Sequence, residues 1–305
     1  MNITADAVKR LRERTGAGMM ECKRALVETA GDLDAAADLM RKTGLAKADK
    51  KAQRVAAEGS IAIERSALGA AIVEVNSETD FVARSEEFQG FARDLARLAL
   101  ARSPSDLTAL LGLREHGEPM EERRRALIAK IGENISVRRF ERLTAPTALG
   151  AYLHGTRIGA LVALRGGSEE LARDLAMHVA ALNPAYLDAE SVPAQVLDRE
   201  RAIIGEQTRG ENKPPQIIAK MVEGRLRKYL AEITLAGQPF VKDPETTVAN
   251  LLKKSAAAVS GYVRYEVGAG IEKRRDDFAG EVMAQVQAQS KDDGGHGGGG
   301  GARRH

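Results

Sequence analysis

Apolar residues over the first fifty positions recur with a helical period. Val8 and Leu11 follow Thr4, a residue suited to cap a helix, and Thr15-Gly16 closes that stretch. A second helix is predicted from Met20 to Ala30, stopped by Gly31. Asp32 opens a third, with Leu33, Ala36, Ala37 and Met40 at the i, i+3, i+4, i+7 spacing of one buried face. Gly44 is expected to end it. Three such helices make a small bundle, marginal on its own. Lys47 to Arg54 reads as a basic helical linker.

The period then changes. Ser60 to Ile63 and Ala71 to Val75 read as strands, with Gly69 near the turn between them. Glu86 to Leu100 reads as a helix with Phe88, Phe91, Leu95 and Leu98 on one face. Glu122 to Ile131 is a further helical stretch, and Ile135 to Phe140 a further strand.

This order repeats. Ala92-Arg93-Asp94-Leu95-Ala96 returns as Ala172-Arg173-Asp174-Leu175-Ala176. A Gly-led apolar strand precedes each copy, at Gly69 to Val75 and at Gly159 to Leu164, and a shorter strand precedes that, ending near Glu64 and near His154. Val137-Arg138-Arg139-Phe140 has its echo in Val263-Arg264-Tyr265-Glu266. The fold class expected is α+β: a small three-helix, UBA-like N-terminal domain, then two related subdomains, each a small antiparallel sheet covered by helices. From Pro193 to Leu230 the chain reads as helical, broken at Gly210 and Pro214-Pro215. That suggests an antiparallel helical hairpin projecting from the second copy, or two helices lying on it. The expected domains are 1–54, 55–145 and 146–283, with the hairpin at about 187–230. Residues 284–305 are expected to hold the end of a helix and then, from Asp292, a tail too Gly-rich to fold.

Composition narrows the function. Only 4% of residues are aromatic and there is no Trp, so the core must come from Ala, Leu, Val and Ile. The net charge of +3 does not demand a nucleic-acid partner. One cysteine, Cys22, excludes an internal disulfide and fits a reducing, cytoplasmic setting. The N-terminus lacks an apolar signal core, and no run of about 18 apolar residues occurs, so no membrane span is expected.

Familiar chemistry is missing. There is no P-loop, no G-x-G-x-x-G after a strand and no G-x-S-x-G elbow. None of the five histidines has a second His or Cys at metal-ligand spacing. No catalytic residue, metal or cofactor is expected, and the chain does not read as an enzyme. Thr79-Asp80-Phe81-Val82 follows an apolar strand and precedes a helix starting near Ser85-Glu86. By pattern alone Phe81 is as readily a core residue as an aromatic anchor presented to a partner. Met19 and Met20 follow Gly16-Ala17-Gly18, a loop that could expose them, yet the period suits Met20 equally to the bundle core.

Two segments are highly specific. Leu11 to Leu26, LRERTGAGMMECKRAL, resembles the N-terminal signature of the elongation factor Ts family. Glu74 to Ala83, EVNSETDFVA, resembles its second signature, which contains Thr-Asp-Phe-Val. Gly237-Gln238-Pro239-Phe240-Val241, Ile131-Gly132-Glu133-Asn134-Ile135 and His154-Gly155 add support, and the likeness runs in order from about Ile3 to Met283. It implies a guanine-nucleotide exchange factor for the GTPase elongation factor Tu, acting on that partner's bound GDP and Mg²⁺. Phe81 would wedge between helices of the GTPase domain near the nucleotide, Asp80 would act on the Mg²⁺ environment, and Thr79 and Val82 would set the turn. A second contact would come from Arg12, Met19, Met20 and Lys23. Ile131, Gly132 and His154 match positions near the core interface, and Val241 a contact in the C-terminal part. Lys242 stands where the family pattern has an apolar, Met-like residue.

The rival reading is a ribosome- or RNA-associated module. Residues 1–54 carry 12 basic and 8 acidic residues, a modest positive patch without aromatic platforms for single-stranded RNA. No direct nucleic-acid contact is therefore expected. A homodimer is left open.

Overall fold

The structure is a computed structural model that describes residues 3–208 and 214–272, residues 45–49 by their backbone alone. Three helices come first: α1 (Ala5–Thr15), α2 (Met19–Glu28) and α3 (Leu33–Lys51). The Thr4 side chain caps α1 by accepting from Ala7 N, and Gly16 closes it in the left-handed conformation. Asp32 caps α3 by accepting from the backbone of Asp34 and Ala35. Val8, Leu11, Cys22, Ala25, Leu26 and Ala36 form the bundle core, with Leu33, Ala37 and Met40 packed against it.

Gly44 does not end α3, which runs on to Lys51. Its residue is buried, and a Cβ there would lie 3.0 Å from the Cβ of Ala129. Glycine at this position serves the close approach of two helices rather than a stop. The second helix also begins one residue earlier than expected, at Met19.

Two sheets follow. β1 (Glu58–Arg65) and β2 (Gly69–Ser77) form a hairpin, and α4 (Asp80–Arg84) and α5 (Glu86–Arg102) come next. A region the hydrophobic pattern left blank holds α6 (Leu107–Gly112) and a short hairpin of β3 (Arg114–Glu115) and β4 (Glu118–Pro119). Then come α7 (Met120–Ile131) and β5 (Ile135–Thr144). The second unit repeats the plan: β6 (Ala148–His154), β7 (Ile158–Arg165), α8 (Glu169–Leu182). After it lie α9 (Ala194–Thr208), α10 (Pro215–Ile233), β8 (Pro239–Phe240), β9 (Asp243–Thr247), α11 (Val248–Lys254) and β10 (Ala258–Glu266).

The first sheet has the order β1-β2-β5 and the second β6-β7-β10, antiparallel throughout. In each copy the middle strand is the Gly-led apolar one. The repeated five-residue segment sits on the covering helix of each sheet, and Ala92, Leu95 and Ala96 are buried just as Ala172, Leu175 and Ala176 are. One core lies between the first sheet and α5 and α7, a second between the other sheet and α8. A third joins the sheets face to face through Ile61, Ile72, Leu149, Leu161 and Tyr265. The result is a four-layer α–β–β–α stack. Every residue of β2 is buried, the apolar run Ala70–Val73 and also the polar Glu74, Asn76 and Ser77.

On the middle strand of the first sheet Glu74 is fully buried. Its carboxylate accepts from Arg139 at 2.6 Å, Arg138 at 3.0 Å and Gly268 N at 2.8 Å. Burial by itself would raise the Glu74 carboxyl, but the hydrogen bonds from Gly268, Arg139 and Arg138 outweigh it and hold the group below its ordinary value. The Arg139 guanidinium also lies 4.1 Å over the Tyr265 ring.

α9 and α10 pack against each other as the expected helical hairpin. α10 buries no residue fully, so the pair is not absorbed into the core. Gly210 and the Gly-rich tail from Asp292 lie outside the described residues. Among those described, no helix is long and apolar enough to cross a membrane.

Candidate functional site

The end of β2 leads straight into the Thr79-Asp80-Phe81-Val82 segment. Thr79 is extended and is the N-cap of α4, its hydroxyl facing Val82 N at 3.4 Å. The same hydroxyl donates to Glu133 Oε1 at 2.7 Å, and Thr79 N–H donates to Glu133 Oε2 at 3.0 Å. Ser77 Oγ donates to Thr79 O at 2.9 Å. Asp80 stands in the first turn, where a carboxylate suits the helix dipole, and pairs with Arg84 at 2.9 Å. Val82 packs on the first core and Ala83 is buried.

Phe81 is 82% exposed. The open question about this residue is thereby settled: it is no part of the core. It also lies within a short helix, where a turn running to Ser85 was expected. A single exposed apolar side chain is ordinary. What distinguishes this one is its mounting, on a five-residue helix whose N-cap is held twice by a carboxylate.

Ile131 and Gly132 are brought to the same place. Gly132 closes α7 at φ 90°, a left-handed cap that suits glycine, and its carbonyl accepts from Lys51 at the end of α3. Glu133 and Asn134 follow directly. Asn134 N donates to Glu78 Oε1 at 2.6 Å, and its side-chain amide donates to Arg54 O at 2.7 Å. The 74–83 and 131–135 segments are thus one constellation.

Met19 and Met20 are 56% and 69% exposed in the first turn of α2, so Met20 is not a bundle-core residue. Lys23 shares their face one turn on, while Cys22 beside it is buried. Arg12 is exposed on α1. His154 is exposed at the turn from β6 to β7, with its Nδ1 3.5 Å from Tyr152 Oη. That turn reaches β1: Arg157 bonds Glu58 at 2.5 Å, and Ile61 N donates to Thr156 O at 2.7 Å. Glu58 in turn pairs with Ser77, two residues ahead of Thr79, so His154 stands at the Phe81 end of the sheets.

Val241 belongs to another neighbourhood. It is half-exposed and donates its N–H to His178 Nδ1 at 3.2 Å. His178 Nε2 therefore carries the proton and donates to Gln238 Oε1 at 3.0 Å. Lys242 pairs with Asp174 on α8 at 2.5 Å. Among the described residues no group of His, Cys, Asp and Glu is arranged to hold a metal ion.

Residues 78–269 match the family model described as Elongation factor TS. Relatives called Elongation factor Ts from Thioalkalivibrio sulfidiphilus, Alkalilimnicola ehrlichii and Methylococcus capsulatus are each 57% identical to this chain. Each match covers 94% of it, and 99%, 99% and 100% of the respective relative. The chain belongs to the elongation factor Ts family. It is therefore grouped with the translation elongation factors of protein biosynthesis.

Within this elongation factor Ts family member, three polar residues hold contacts that the sequence does not assign, although Glu133 and Asn134 belong to a motif that supports the resemblance. Glu133 and Asn134 act 54 and 56 positions away, at Thr79 and Glu78, and no periodicity reports such contacts. His178 left a trace: it is a polar residue inside the buried stripe of Leu175, Ala176 and Val179. Burial depresses the His178 imidazole below its ordinary value of 6.5, the Gln238 hydrogen bond opposing in part. A depressed histidine favours the neutral folded form. Its contribution is complete above about pH 6.5 and is lost as acid protonates the unfolded chain first. The thermal midpoint should fall from about pH 7.5 to about pH 5.5, and His178→Gln should flatten part of that slope.

Proposed function

We propose that this chain is a non-enzymatic guanine-nucleotide exchange factor that acts on elongation factor Tu in the cytoplasm. The observation that carries the reading is Phe81, an exposed aromatic on a braced mount, within a segment that resembles the family's second signature. In this reading Phe81 enters the GTPase domain between helices near the nucleotide. Asp80 disturbs the bound Mg²⁺, whose charge neutralises the phosphates. Arg12, Met19, Met20 and Lys23 form a second contact, Ile131, Gly132 and His154 flank the first, and Val241 adds a third. The division at residues 54 and 145 separates the surface on the bundle from those on the sheets.

Magnitudes favour several contacts over one. A nucleotide held at nanomolar affinity is bound by about 12 kcal/mol. Burying one Phe returns only about 1.5–3 kcal/mol. A dispersed surface lets the ternary complex form and be distorted, so that each ligand weakens the other by the same factor.

The test is release of fluorescent GDP from elongation factor Tu with the chain present in substoichiometric amount. Acceleration through many turnovers is the expected result. Equal affinity for the nucleotide-free and GDP-bound forms would overturn the reading.

A further inference from the structure

We propose that Glu133 and Asn134 form a splint that positions two partner-facing elements separately: Glu133 sets Phe81, and Asn134 sets the N-terminal bundle. This rests on the exchange reading above. The two residues are adjacent, directly after the Gly132 cap of α7, and they reach in different directions. Glu133 spends both carboxylate oxygens on Thr79, taking its hydroxyl at 2.7 Å and its N–H at 3.0 Å. Asn134 spends its amide on the chain just past α3, at Arg54 O (2.7 Å) and Ala52 O (3.4 Å).

Each target needs an external brace. α4 has five residues, far too few to hold a helical conformation unaided. Val82 and Ala83 seat its far part on the first core, and Ser85 both closes it and caps α5. The start of α4, where Phe81 stands, is held by Thr79, and Thr79 by Glu133. Phe81 is the second residue of that helix and is largely exposed, so the helix sets its direction. Past Lys51 the carbonyls of Ala52 and Arg54 lie beyond any helical partner, and the Asn134 amide supplies their donors. Lys51 to Gly132 O and the Arg54–Glu78 pair at 3.5 Å close the same joint. Glu78 joins the two halves by accepting from Asn134 N.

Two variants separate the roles. In GDP release from elongation factor Tu, Glu133→Gln should slow the maximal rate about tenfold, the scale of one charge-assisted hydrogen bond, with the half-saturating concentration little changed. That loss should vanish in a Phe81→Ala background. Asn134→Ala should raise the half-saturating concentration about fivefold, the scale of a neutral hydrogen bond, and keep the maximal rate. Its loss should persist beside Phe81→Ala and vanish once Met19 and Met20 are both Ala. Amide hydrogen exchange on the free protein reads position without the partner: Glu133→Gln should deprotect 80–84, and Asn134→Ala should deprotect 50–54.

Losses that add to Phe81→Ala for Glu133→Gln, or one identical phenotype for both variants, would reduce the segment to ordinary packing and overturn the splint. Unchanged protection in both variants would overturn it equally. If the unaltered chain fails to release GDP while the protection changes hold, it is the exchange reading that falls, and the splint's functional role with it.

Discussion

Phe81→Ala should slow GDP release from elongation factor Tu by about ten- to a hundredfold while leaving the unfolding midpoint unchanged. The two halves of this result come from one number. At 82% exposure, Phe81 gives the free protein almost no burial energy to lose. The same side chain, once enclosed by a partner, regains about 1.5–3 kcal/mol, which sets the expected range. Stopped-flow release of labelled GDP gives the rate, and urea unfolding followed by circular dichroism gives the stability. A variant that unfolds would contradict the exposed position of Phe81. A variant that keeps both fold and rate would remove the wedge.

Glu74→Ala should do the reverse, destabilising strongly with no partner present. It strips Arg138, Arg139 and the Gly268 N–H of their shared acceptor in one step. Removing one member of a buried ion pair costs roughly 3–5 kcal/mol. Arg138 and Arg139 are 27% and 35% exposed and can recover some water, which favours the lower end, about 3 kcal/mol. The carboxyl is held below its ordinary 4.5, so its contribution is present above that pH and is lost as acid protonates it. Urea titrations at neutral pH should show the difference between variant and parent, and titrations near pH 3 should show it shrinking. An unchanged midpoint at neutral pH would mean that the network is incidental.

Much of this architecture can be read before any coordinate. β2 is legible where Ala70 to Val73 run apolar on both faces and leave no side for water, while the burial of Glu74 beyond them is not. The duplication is legible because the alanines and leucine of each five-residue repeat meet the same kind of sheet. Gly44 misleads because a glycine that permits close helix packing and one that ends a helix look alike in a string of letters. The packing partner, Ala129, is 85 positions away, beyond any local rule. Phe81 and Met20 were ambiguous for a related reason: period locates a face but cannot say whether anything lies over it. α6 and the β3–β4 hairpin are too short for a period to develop. The roles of Glu133, Asn134 and His178 are not legible in sequence, since a polar residue declares its role only through its partner.

The Gly268 N–H that serves Glu74 lies 194 positions downstream of it. During synthesis, the strands that surround this carboxylate leave the ribosome long before its last donor is made. Until then the nascent first sheet lacks its facing layer, and the Glu74 carboxylate stays in water, short of its last donor. The Glu74 network is therefore complete only once β10 and the Gly268 turn have been delivered.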